Sequence, residues 1–159
     1  MNIDFQNLMS DAQNLAQAVG TYYSSNVIDL WGLAAGQTVL PKDALGNSPV
    51  FDLGRGGDVN ILAQVVTTFT TGAGGTLQVQ LINADSADLL TNPTVLWDSG
   101  VIAVATLVAG YRFRVMEMPY GVVQRYIGFK FMIATGAMTA GNVTAAIVYD
   151  HDTAPGSMK

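Results

Sequence analysis

The chain has 159 residues, a formal net charge of −5 with only seven Lys and Arg, and no cysteine; half of its residues are apolar and 12% are charged. That length suits one domain able to bury about 70% of its unfolded surface without staples, and the missing thiols exclude disulfides, Cys-ligated zinc, iron–sulfur clusters and thiol nucleophiles. Few and scattered cations argue against a nucleic-acid partner, no apolar run reaches the roughly 18 residues of a membrane span, and the first residues show neither a basic nor an apolar region of a signal peptide. Ordinary soluble domains are about 25% charged, so the deficit points to surfaces that other subunits cover.

Taken in chain order, residues 4–19 place Phe5, Leu8, Ala12, Leu15 and Val19 three and four apart. This spacing predicts a short amphipathic helix, with Asp4 as N-cap and Gly20 as its stop. Residues 1–20 therefore read as a helical arm that either closes its own sheet or grips a neighbour, with Phe5, Leu8 and Leu15 as candidate interface residues. From Ser24 the period changes to two. Asp58 to Thr71 alternates Val59, Ile61, Ala63, Val65, Thr67 and Phe69 against Asn60, Leu62, Gln64, Val66 and Thr68, and after the Gly72-Ala73-Gly74-Gly75 break the alternation resumes at Leu77, Val79 and Leu81, which reads as a β-hairpin.

Further strands are expected at Asn26–Leu30, near Val50, and over Val95–Asp98, Tyr111–Met118, Gln124–Ala134 and Asn142–Asp150, separated by Ser99-Gly100, Ala109-Gly110, Pro119-Tyr120-Gly121 and Thr135-Gly136. About eight strands with no second helical pattern predict an all-β, jelly-roll-like antiparallel β-sandwich over residues 21–150. Residues 32–57, rich in Gly, Pro and Asn, form a loop too long for a hairpin turn; Asp85–Pro93 is a shorter one, and 151–159 reads as a flexible tail.

Candidate chemistry is sparse. His151 is the single histidine, and one imidazole between Asp150 and Asp152 makes a poor zinc site and leaves a Ser–His–acid site without a Gly-x-Ser-x-Gly elbow. Asp85 and Asp88 sit in a predicted loop and fit turn chemistry at least as well as glycosidase carboxylates or a Ca²⁺ site. Gly54-Arg55-Gly56-Gly57 lacks the Lys-Ser/Thr end of a phosphate-binding loop, and Asn142-Val143-Thr144 matches a glycosylation sequon only formally. No catalytic, metal or cofactor site is expected. The informative cations are Arg112, Arg114 and Arg125, with Lys130: Arg112 and Arg114 share one face of a predicted strand and Tyr111, Phe113 and Val115 the other, so the guanidinium pair either lies on a solvated sheet face or meets carboxylates of a partner.

These residues also carry a resemblance. The run from Asp98-Ser99-Gly100-Val101-Ile102-Ala103 through Leu107-Val108-Ala109-Gly110-Tyr111-Arg112, then Met118-Pro119-Tyr120-Gly121 and Arg125-Tyr126-Ile127, resembles the pattern of capsid cement proteins of the Bordetella phage type. Ser25-Asn26-Val27-Ile28-Asp29-Leu30 is similar to that family's opening, and Thr139-Ala140-Gly141-Asn142-Val143-Thr144 to its ending, so the blocks cover nearly the whole chain; Trp31 and a longer 38–57 segment depart from the pattern. The resemblance implies a jelly-roll subunit, made in the host cytoplasm, that oligomerises and sits on the exterior of an icosahedral virion shell, bridging neighbouring major capsid proteins. The low charge and an exposed face at Leu62 and Val66 favour a homodimer over a trimer. The alternative is a carbohydrate-binding or tail-associated β-sandwich module, in which Trp31, Trp97, Tyr22 and Tyr23 would stack on sugar. A cupin-like enzyme is disfavoured because one His cannot build its metal centre.

Overall fold

In the computed structural model of the chain, residues 8–30, 59–113, 116–117 and 124–149 are described. They form nine strands: β1 (Leu8–Asn14), β2 (Gly20–Tyr23), β3 (Ile28–Asp29), β4 (Val59–Thr71), β5 (Thr76–Ala84), β6 (Thr94–Ala103), β7 (Met116–Glu117), β8 (Tyr126–Ala134) and β9 (Met138–Tyr149), with one turn of 3-10 helix at Val104–Thr106. All pairings are antiparallel. One sheet has the order β1-β9-β4-β7, the other β2-β8-β5-β6, with β3 continuing along β8 where β2 leaves it.

Alternation explains the core. Ile61, Ala63, Val65 and Phe69 of β4 and Val143, Ala145 and Ile147 of β9 project from one sheet, Leu77, Val79 and Leu81 of β5 and Ile127, Phe129, Phe131 and Ile133 of β8 from the other, and all join a single buried cluster. Burying a large apolar side chain of this kind contributes roughly 1.5–3 kcal/mol. The expected positions of β4, β5, β8 and β9 agree with the structure; the predicted strand near Val50, the 32–57 loop and the 151–159 tail lie outside the described residues.

The predicted N-terminal helix is not seen. Its described part is β1, paired with β9 from Leu8↔Ala146 to Asn14↔Asn142 with two bulges. Met9, Ser10 and Leu15 are buried while Ala12 and Val19, which belonged to the helical stripe, are exposed. A helix of this length is marginal in water, whereas the edge of β9 offers a ladder of backbone partners that would otherwise be lost. The polar residues of this segment are bonded within the strand and the turns beside it: Gln13 Nε2 donates to the Tyr23 carbonyl (2.8 Å), Gln13 Oε1 accepts from the Ser10 hydroxyl (2.7 Å) and the Ser25 N–H (3.0 Å), and Asn14 Oδ1 accepts from the Ala16 N–H (2.8 Å).

The β4–β5 hairpin is also corrected. The two strands do not pair; β4 belongs to one sheet and β5 to the other, and Gly72–Gly75 turns the corner between them. Period-two alternation fixes which residues share a face but says nothing about which strand lies alongside. Ser99-Gly100, expected as a separator, lies inside β6 as a bulge: Gln78 pairs with Val101 and Gln80 with Asp98, and Gly100 takes φ 69°.

Among the described residues four segments lead from one sheet to the other, 15–19, 72–75, 104–106 together with Leu107, and 135–137, and they lie at one end of the two sheets. Their backbones interlock. Met138 N–H donates to the Gln17 carbonyl (2.9 Å), Val104 N–H to Gly75 (3.1 Å), and the Thr71 hydroxyl to Ala137 (2.8 Å). A Cβ on Gly75 would lie 2.6 Å from the Gly136 carbonyl oxygen, so the two turns touch main chain to main chain. We call this the crossover end. The opposite end carries the β5–β6 loop.

Candidate protein-interaction surfaces

The two described arginines singled out from the sequence have different fates. Arg125 is held within the chain: Nε donates to Asp29 Oδ1 at 2.9 Å and a terminal nitrogen to Oδ2 at 2.7 Å, while the guanidinium lies 4.8 Å from the Tyr126 ring centroid. Pairing of β3 with β8 places Asp29 beside Tyr126 and so sets up this fork. Its hydrogen bonds to Asp29 push the guanidinium pKa up. Arg112 is exposed on the β4 side of the first sheet, bridged to Gln64 through the backbone, with Tyr111 and Phe113 turned inward as edge-to-face rings 5.4 Å apart. The expected division of faces therefore holds over 111–113; Arg114 and Phe5 lie outside the described residues.

The apolar candidates divide likewise. Leu15 is buried in the common core. Leu8 packs on the outer face of the first sheet against Leu62, Ala146 and Val148. Leu62 is thus not the exposed residue read from the sequence, being 1% accessible, whereas Val66 on the same strand is open. Some outward positions of these strands, Leu62 and Val66 of β4 and Ala146 and Val148 of β9, are apolar like the inward ones, so alternation alone could not say which of them meets water. Of the aromatics, Trp97 and Tyr22 pack against the core, Tyr23 joins a cluster on the outer face of the second sheet, and Trp31 lies outside the described residues.

That second sheet carries a polar constellation the sequence did not reveal. Gln78, Gln80 and Asp98 meet on its outer face: Gln78 Nε2 donates to both Asp98 oxygens (2.9 and 2.7 Å), Gln80 Nε2 to Oδ2 (2.7 Å), and the Gly100 N–H to Oδ1 (2.7 Å). Partial burial raises the Asp98 carboxyl pKa, but the Gln80, Gln78 and Gly100 donors, with the charge of Lys130, outweigh it and hold the group below its ordinary value. The Asp-Ser-Gly sequence was the available signal, since turn chemistry of that kind inside an alternating run marks a bulge. Lower on the same face the 85–93 loop folds back: Leu89 is buried over Ile82 and Ala84, at a place where a Cβ on Gly128 would meet its Cδ1 at 2.5 Å. Asp88 accepts from the Ser86 hydroxyl and the Leu90 N–H, which lower its pKa, and Asp85 accepts from Asn92 Nδ2 (3.0 Å). Both acids thus serve the loop's own turns.

Among the described residues no three His, Cys, Asp or Glu side chains come together in a way that could hold a metal. The fold and surfaces define an antiparallel two-sheet protein with one shared core, exposed uncharged patches and a few locally bonded ions. The family model of Bbp16, which bears the name of a Bordetella phage protein, matches residues 9–147, and the chain belongs to the Bbp16 family. No curated protein matches it.

Proposed function

We propose that the chain is a structural bacteriophage protein that binds the outer surface of an icosahedral capsid and cements neighbouring major capsid proteins, without enzymatic activity. The observation carrying this reading is that the family match, residues 9–147, spans nearly the whole two-sheet body rather than an appended module. The fold is read as a jelly roll: two sheets in the orders β1-β9-β4-β7 and β2-β8-β5-β6, the chain passing from one to the other at each connection except β2–β3 and β5–β6, support a pair of interleaved Greek keys. The action is passive. Each copy buries a modest contact on two adjacent capsid subunits, and because the second contact is intramolecular once the first is made, avidity exceeds either affinity.

Free protein is read as a homodimer, with a trimer as runner-up, on the strength of the low charge fraction and exposed Val66. The test is to add purified protein to shells assembled without it and to sediment them. Saturable binding together with a higher shell disruption temperature is the expected result; binding to a glycan array with none to shells would replace this reading with the carbohydrate-binding one.

A further inference from the structure

We infer that the crossover end is the docking surface and that its partner is an uncharged protein surface; resting on the cementing reading, that surface belongs to the capsid shell. Residues 12–28, 59–84, 99–111 and 131–149 contain no Asp, Glu, Lys or Arg, and the topology brings together the turns that lie within these four stretches, 15–19, 72–75, 104–107 and 135–137. The nearest described charges, Asp98 and Lys130, lie level with Gln80, four residues along β5 from its start at Thr76, which is about 13 Å of extended chain. Around this end Val19 is 57% exposed, Val108 51% and Val101 67%. Depletion of charge marks the core of a protein interface.

The same features choose among partner classes. A nucleic acid or a phospholipid surface presents anions that need clustered cations, and among the described residues the crossover end has none. A charged protein surface would be stripped of water here without a counter-charge, at a cost of several kcal/mol per ion. An uncharged protein face loses nothing of the kind. The surface is also built not to rearrange: Gly75 and Gly136 touch through their main chains, the Thr70 and Thr139 hydroxyls bond at 2.7 Å, and the Thr71 hydroxyl ties the two turns. Little ordering cost then accompanies docking.

The experiment is co-sedimentation with shells lacking the protein, comparing the full-length wild type with Val19→Lys, Gly72→Lys and Val108→Lys at the crossover end and with Leu90→Lys and Val95→Lys toward the other. Gly72 has nothing within 4 Å of a Cβ, and Leu90 and Val95 are exposed, so melting curves should match across the set; three separate crossover variants guard against one that fails to fold. The expected result is shell affinity reduced about tenfold or more by each crossover lysine, unchanged by the control lysines, and wild-type binding nearly constant between about 0.05 and 0.5 M salt. Crossover variants that bind like wild type, controls that lose binding, or steep salt weakening would each overturn the proposal, as would crossover lysines that dissociate an oligomer in light scattering while leaving shell binding intact. A wild type that never sediments with shells would instead overturn the cementing reading itself, and the assigned partner with it.

Discussion

The two ends of the sandwich solve the problem of joining sheets differently. At the crossover end, short connections turn the chain from one sheet to the other, and their main chains are in mutual contact at Gly75 and Gly136. At the other end the described connection is a loop, 85–93, that stays within one sheet and is closed by side chains: Asp88, Ser86, Asn92 and the buried Leu89. Main-chain packing cannot give way without moving strands, whereas a side-chain plug can change rotamer. The first end is therefore expected to be rigid, and intolerant of substitution where its main chains touch at Gly75 and Gly136, the second adaptable.

The largest effect should come from removing β1, which belongs structurally to both layers through Gln13 and the Met9 carbonyl, an acceptor for Asn26 N–H. Deleting residues 1–14 unpairs the edge of β9 and opens the core at Met9; the truncated chain is expected to aggregate or lose cooperative melting, and a soluble product melting like full-length protein would show that β1 is dispensable. Next, Gly75→Ala and Gly128→Ala form a direct contrast. At Gly75 the new methyl meets a backbone oxygen at 2.6 Å, at Gly128 the end of the Leu89 side chain at 2.5 Å. Denaturant unfolding should give a loss of about 2–4 kcal/mol for the first and about 1 kcal/mol for the second; the reverse order would refute the assignment of rigidity to the crossover end.

A smaller effect is expected from Arg125→Ala. Its side chain is 24% and that of Asp29 33% exposed, so solvent screening leaves a coupling of about 0.5–1 kcal/mol in a double-mutant cycle with Asp29→Ala, shrinking with added salt. The smallest is the pH dependence from Asp98. Its folded pKa is lowered, so the carboxylate adds stability that is fully present above the unfolded value, about 3.9, and is lost as pH falls through the lower folded value. Asp98→Asn should flatten the acid limb of a stability–pH curve by a small amount; an unchanged limb would mean that the Gln78 and Gln80 amides do not favour the ionised form.

How much of this was legible in the sequence depends on what each signal encodes. β4, β5, β8 and β9 were readable because half-buried strands impose alternation on their own residues. The pairing of β4 with β9 rather than β5 was not, since it is a long-range choice between sheets that leaves no local trace. Residues 8–14 misled for a related reason: Leu8, Ala12 and Leu15 do recur at helical spacing, but an unpaired edge at β9 outweighs a marginal helix. Of the candidate interface residues, Arg112 stands exposed as its alternation with Tyr111 and Phe113 suggested, whereas the bond of Arg125 to Asp29 joins positions 96 residues apart and could not be inferred from either neighbourhood. Charge-free stretches stand in the sequence; that the turns within them gather at one pole emerges only from the topology.

The central claim, a rigid body seated by its crossover end across capsid seams, is tested most directly by a cryo-EM reconstruction of shells decorated with the full-length protein. The expected map shows two-sheet density outside the shell at subunit boundaries, with the 71–76 and 134–138 turns facing the capsid surface. Density contacting the shell through the 85–93 loop, or a shell left bare at saturating protein, would contradict it.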